Sequence, residues 1–300
     1  MDKNKNVEAE NLRKPPWLLK GIEHTAEKNE VNRILKNLDL NTVCKSARCP
    51  NLSDCFHHKR ATFLILGDRC TRGCTFCSVE KAKPGGLAPP DKDEPERILR
   101  AVKALGLEYV VITSVTRDDL NDGGAGAFAL TINKLRGLGP DVQIEVLTPD
   151  FLGNELLIAA VAEAGPDVYN HNIETVPRLY EKIRPGADYK RSLDLLAYVN
   201  KNYPDIFLKS GLMLGMGEKK DEVLKVLSDL KESGCSAVTI GQYLRPGHWN
   251  IPVQEYVHPD IFKYYEKEAK EIGFLYVASG PYVRSSYMAH EGYRDMIKKK

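Results

Sequence analysis

The sequence predicts an α/β chain folded as a partial (βα)6 TIM-type barrel with N-terminal and C-terminal extensions. Three observations carry that prediction. From Ala61 onward, short apolar runs rich in β-branched residues alternate with amphipathic stretches of helical period. Their spacing calls for parallel strands joined by right-handed crossovers. Each apolar run ends in polar residues and glycines, which is where barrel enzymes gather their chemistry.

The expected strands are 61–67, 108–115, 143–147, 167–172, 207–214 and 237–244. Helices are expected at 94–105, 125–137, 153–164, 188–203 and 219–233, the last two entered by Asp188 and Asp221. Six strands suit a three-quarter barrel, and a further strand-like run at 274–279 closes one edge. Residues 1–60 form an N-terminal extension, 61–282 the barrel and 283–300 a C-terminal extension. In the first, Pro15, Pro16 and Trp17 mark an anchored start, and Val31, Ile34, Leu35 and Leu38 space a short amphipathic helix over 30–40.

Composition narrows the function classes. The 300 residues, 42% of them hydrophobic, suit one domain with a sizeable core. With 43 basic against 41 acidic side chains the formal charge is +2, so nothing points to nucleic acid, and the closing lysines 298–300 read as a solvated tail. Residues 1–11 are polar, and no run of about 18 apolar residues occurs, so a cytoplasmic protein with no membrane segment is expected. Seven clustered cysteines suit metal ligation in a reducing compartment better than a disulfide framework.

Cys70, Cys74 and Cys77 form CxxxCxxC just after the first strand. Thiolates so close can share one soft centre, an iron–sulfur cluster or zinc. A closed zinc site takes four ligands, so three suggest a cluster with one iron open to a cofactor. The alternatives are half a zinc site, a redox pair Cys74/Cys77, and unrelated core thiols. Gly67, Arg72 and Gly73 leave the backbone free to fold tightly, and Phe76 offers an aromatic face. A second triplet, Cys44, Cys49 and Cys55, spans a turn at Pro50 and Asn51. Its alternative is zinc completed by His57 or His58. Cys235 precedes a buried strand and reads as a core thiol.

Polar groups at the other strand ends converge on the same mouth. Asp118 and Asp119 either serve a ligand or cap the next helix. Glu145, Asp150, Asn170 and His171 follow on the third and fourth strands. Asn172 and Glu174, two apart on a strand, face the same way and suit a ribose or an amino group, or satisfy each other. Arg184 suits a carboxylate or a helix end. Gly215 and Gly217 form either an anion cradle or a structural turn. Near the C-terminus, Arg284-Ser285-Ser286-Tyr287 taken alone reads as a serine-capped helix start.

With Phe76 before its third thiol, the first triplet resembles the signature of the radical S-adenosylmethionine enzymes. Together with the second triplet and Arg284-Ser285-Ser286-Tyr287, it makes the pattern of the lipoyl synthase family, which the chain resembles across nearly its whole length. Further matches are Arg13-Lys14-Pro15-Pro16-Trp17-Leu18 and the runs 113–126, 172–175, 184–189 and 239–246. Lys219-Lys220 and Gly247-His248-Trp249-Asn250 lie in loops expected to vary. The second triplet with the serine motif argues against a biotin-synthase-like enzyme, and the barrel against a simple zinc or electron-transfer module.

The resemblance implies a radical sulfurtransferase that inserts two sulfur atoms at carbons 6 and 8 of a protein-bound octanoyl-lysine. No side-chain base removes protons from such unactivated carbons, so the difficult chemistry falls to cofactors. These are two 4Fe-4S clusters and S-adenosylmethionine. Cys70, Cys74 and Cys77 would hold the cluster that binds the cofactor. Cys44, Cys49, Cys55 and a serine, Ser285 in preference to Ser286, would hold an auxiliary cluster consumed as the sulfur donor. Phe76, Asp118, Asp119, Asn172, Glu174 and Arg184 would contact S-adenosylmethionine. The implied partners are octanoylated lipoyl carrier domains (2-oxoacid dehydrogenase acyltransferase subunits and the glycine cleavage H protein), a ferredoxin- or flavodoxin-type electron donor, and an iron–sulfur carrier.

Overall fold

A computed structural model describes residues 12–19, 21, 25–83 and 85–299. The expected polar segment 1–11 lies outside the described residues. The extension begins with a helical turn at Pro16–Leu18 that buries Leu18, followed by α1 (Ala26–Asn37), α2 (Val43–Ser46) and α3 (Leu52–His57). Thr25 caps α1 by accepting from Lys28 N, and Val31 and Leu35, one turn apart, bury its apolar face. The chain then enters β1 (Thr62–Ile65) and makes a short ladder between β2 (Arg69–Cys70) and β3 (Glu80–Lys81).

Strands and helices then alternate as α4 (Glu94–Leu105), β4 (Tyr109–Ser114), α5 (Ala125–Arg136), β5 (Gln143–Leu147), α6 (Glu155–Glu163) and β6 (Val168–Asn170). Next come α7 (Tyr180–Ile183), α8 (Tyr189–Asn202), β7 (Phe207–Leu214), α9 (Lys220–Glu232) and β8 (Ala237–Gln242), then α10 (Pro259–Ile272), β9 (Tyr276–Gly280) and α11 (Ala289–Lys299). In α4 the spacing of Ile98, Ala101, Val102 and Leu105 puts all four in the core, and Gly106, at φ 64, ends the helix in the left-handed conformation.

One seven-stranded parallel sheet results, in the order β1-β4-β5-β6-β7-β8-β9. It is a partial barrel, with β1 and β9 at its open edges. β9 pairs with β8, as expected of an edge-closing strand. The extension covers the β1 edge through a bridge between Thr42 and Phe63 and a bond from Leu64 N to Asn41 O.

Four details differ from the sequence reading. Helix α9 is entered at Lys219, whose N–H binds Glu222, rather than at Asp221. Helix α10, absent from the expected set, packs Phe262, Tyr265 and Ala269 inward. The serine motif lies in turns ahead of α11, which starts at Ala289. Lys298 and Lys299 are exposed but belong to α11 rather than to a tail, and Lys299 Nζ donates to Leu275 O. α11 covers the N-terminal ends of the strands, with Met296 among Val168, Phe207 and Ala237. No helix among the described residues is long and apolar enough to cross a membrane.

Candidate active site

At the C-terminal end of β1, Leu66 and Gly67 take positive φ values and turn the chain into the thiol loop. Several elements fix that loop. Thr71 N donates to Thr116 O, Thr75 N to Ile183 O, and Asn250 Nδ2 to Thr75 O at 3.1 Å and Cys77 O at 3.0 Å. Cys70 Sγ accepts from Arg72 N and Thr116 N, each at 3.4 Å, a setting that suits a metal-bound thiolate. Burial pushes the Cys77 thiol up to about 11 and raises Cys74, with Lys81 opposing in both cases and Arg184 also at Cys74. Phe76 is half-buried against the core. Cys235 is a core thiol, as expected.

Arg72 does more than leave the loop backbone free. Its buried guanidinium donates to Asp118 (2.8 and 3.0 Å) and to Asp150 (2.6 and 3.0 Å), and Asp150 also accepts from Arg191 Nε at 2.9 Å. Burial would raise the Asp150 carboxyl, but Arg72, His171 and Arg191 outweigh it and hold it down at about 2. Asp119 accepts twice from Arg117, both at 2.8 Å. Neither Asp118 nor Asp119 caps α5; Asp122 accepts from Gly124 N and Gly126 N instead. Likewise the expected anion cradle is filled from within, since Gly215 N and Met216 N both donate to Glu218.

Asn172, Glu174, Arg184 and Ser285 do come together. Asn172 Nδ2 donates to Glu174 Oε1 at 3.1 Å, and Ser285 Oγ donates to Asn172 Oδ1 at 3.0 Å. Burial raises the Glu174 carboxyl, opposed by Arg184, Asn172 and Arg284. Arg184 Nη1 donates to Asn172 O and Tyr180 Oη, while its buried Nε has no partner. Below them, Asn170 Nδ2 donates to both Ser285 Oγ at 2.8 Å and Glu145 Oε1 at 2.9 Å, and Glu145 pairs with buried Lys209 at 2.9 Å. A buried ion pair survives only with such further hydrogen bonds, here also from Tyr109 Oη at 2.7 Å.

The second triplet sits on the extension, with Cys44 on α2, Cys55 on α3 and Cys49 between them. Burial pushes Cys44 up to about 11 and Cys55 to about 12, and each is raised further by other thiols of the group. The three line a cavity of about 220 Å³ together with Arg284 and Ser286. Ser286 Oγ accepts from Thr62 at 2.9 Å in that wall, whereas Ser285 is turned toward Asn170 and Asn172. His57 contacts Glu27, and His58 Nδ1 binds Asp54 O at the cavity edge. One link joins the segments that carry the triplets, Ser78 Oγ donating to Ser46 O at 2.6 Å, and half-buried Arg284 lies near both Cys49 and Glu174.

The donor sets fit clusters. One zinc ion needs all its thiolates within about 2.3 Å of a single point. A cubane takes each thiolate on a different iron and so suits thiols that line a space.

A partial barrel with a three-thiol loop after its first strand is the architecture of the radical SAM superfamily, whose sequence profile matches residues 64–241. The fold also resembles that of methylornithine synthase, with a TM-score of 0.56 and 14% identity over 84% of this chain and 75% of that one. The lipoyl synthase of Caldanaerobacter subterraneus subsp. tengcongensis is 54% identical over 94% of this chain and 97% of its own. That of a Geobacter species is 52% identical over 93% and 94%. The chain belongs to the lipoyl synthase family.

Proposed function

We propose that the chain inserts sulfur at carbons 6 and 8 of an octanoyl group carried on a protein lysine, with S-adenosylmethionine as cosubstrate. One observation carries this reading: two thiol triplets, each one ligand short, stand on segments tied together by Ser78 Oγ, which donates to Ser46 O at 2.6 Å. When bound, the clusters and S-adenosylmethionine supply the radical that takes hydrogen from carbon and the sulfide that replaces it.

The protein's residues supply placement. Cys70, Cys74 and Cys77 hold one 4Fe-4S cluster, and the network around Arg72 fixes their loop. The unpartnered Arg184 Nε suits the cofactor carboxylate, with Asn172 and Glu174 facing its amino group or ribose. Phe76, between the last two of these thiols, would offer an aromatic face to the bound cofactor. Asp118 and Asp119 act through Arg72 and Arg117 to shape the mouth. Cys44, Cys49 and Cys55 hold the auxiliary cluster. The family resemblance implies a serine as its fourth ligand, Ser285 in preference, but the cavity wall carries Ser286. A hard oxygen binds a soft cluster weakly and releases it readily.

The octanoyl group arrives on a lipoyl carrier domain, an acyltransferase subunit or an H protein. A ferredoxin- or flavodoxin-type donor supplies electrons, an iron–sulfur carrier restores the auxiliary cluster, and the setting is cytoplasmic. The test is anaerobic incubation of the reconstituted protein with S-adenosylmethionine, a reductant and an octanoyl-lysine peptide, followed by mass spectrometry. The expected result is lipoyl product with about two 5′-deoxyadenosines per group, one for each C–H bond broken. Cofactor cleavage without sulfur insertion would overturn the assignment.

A further inference from the structure

We propose that Cys44, Cys49 and Cys55 have an access route of their own, through which iron and sulfide enter from the end of the barrel opposite the substrate mouth. This rests on the reading of those thiols as a consumable sulfur donor. The walls of their cavity show where it leads. Beyond the thiols it is lined by Thr62, Tyr109 and Gln143, the first residues of β1, β4 and β5, and by Leu107 and Glu108 of the α4–β4 loop. These positions mark the N-terminal ends of the strands. The Cys70–Cys77 loop and Asn172–Glu174 follow C-terminal ends, so the two openings face away from each other.

The cavity reaches solvent, because Glu108, Met288 and Arg294 on its rim are exposed. At about 220 Å³ it is many times the roughly 10–15 Å³ that one water needs on the same measure, so it has room for hydrated iron and hydrosulfide. Arg60 also lines it, with Nη2 3.1 Å from His290 Nε2, and supplies a positive charge for a small anion. The consequence for turnover is direct. A donor spent in each cycle has to be refilled, and a rear opening allows this while a carrier domain still covers the front.

The test uses the full-length apo protein carrying Cys70→Ala, Cys74→Ala and Cys77→Ala, so that only the second triplet takes up iron. Iron uptake is followed by absorbance after anaerobic addition of iron and sulfide. Leu107→Trp, which fills the passage, should slow uptake several-fold at unchanged final iron content and melting temperature, and Leu107→Ala should not slow it. Glu108→Trp, on the exposed rim, should act like Leu107→Trp and does not depend on repacking the wall. In the otherwise unaltered enzyme preloaded with clusters, Leu107→Trp should give its first lipoyl group normally and lose later turnovers supplied with iron and sulfide. Uptake as fast in both Trp variants as in the parent overturns the rear route. Failure of the sulfur-insertion reading shows differently, as absence of lipoyl product from preloaded enzyme with Leu107 intact.

Discussion

The two thiol triplets are built in contrasting ways. Cys70, Cys74 and Cys77 lie on a loop braced by backbone bonds to Thr116 and Ile183, by Asn250, and by the buried Arg72 network. Cys44 and Cys55 lie on two short helices of the extension and Cys49 on the turn between them, beside a cavity that opens to solvent. A site whose cofactor persists through turnover gains from rigid positioning. A site whose contents are consumed needs access. On the proposed reading, the permanent cofactor belongs to the barrel and the expendable one to the extension.

The strongest way to break the comparison is to remove one thiol from each side. Cys74→Ala should abolish 5′-deoxyadenosine formation, whereas Cys49→Ala should abolish lipoyl product and retain cofactor cleavage. Chromatography of both products from both variants checks this, and equal losses in the two would erase the division of roles. Next is Arg72→Met, which takes the cation from Asp118 and leaves Asp150 with Arg191 alone. Losing one partner of a buried ion pair costs about 3–5 kcal/mol, so a large fall in melting temperature is expected, with Arg72→Lys falling less.

A substitution under the serine motif sharpens the contrast. A Cβ at Gly241 would lie 2.2 Å from Val283 O, and backbone yields little at that distance. Gly241→Ala should therefore displace Arg284–Tyr287 and weaken cluster binding at the second triplet, measured as iron content, while the first triplet keeps its iron. Between the two serines, Ser286→Ala should alter the paramagnetic spectrum of the auxiliary site more than Ser285→Ala. An equal or reversed pair of effects would return the ligand to Ser285.

The smallest expected effect is on stability against pH. His171 is buried, and burial first, then Arg184, lowers its pKa to about 4 from an ordinary 6.5. Because the folded state disfavours the proton, its contribution is complete above about pH 6.5 and is lost as pH falls through about 4. His171→Gln should flatten the decline of melting temperature over that interval.

Much of this was legible in the sequence because parallel strands buried on both faces read as continuous apolar runs. Both triplets and the serine motif were visible for a different reason, that their ligands sit close together along the chain. Helix α10 was hidden by the charged residues spaced through it, and α2 and α3 are too short to show a period. The role of Arg72 was invisible because its partners lie 46 and 78 residues away. The choice between Ser285 and Ser286 depends on which way the turn faces, and two adjacent serines carry no signal for that.

The central claim is that the extension's triplet supplies the sulfur. The most direct measurement is to build the clusters with sulfide of a heavy isotope, remove free sulfide, and read the mass of the lipoyl product from a single turnover. Two heavy sulfur atoms in each product, and none from a Cys49→Ala variant prepared the same way, is the predicted result. Product carrying ordinary sulfur, or heavy product from the Cys49→Ala variant, would contradict the account.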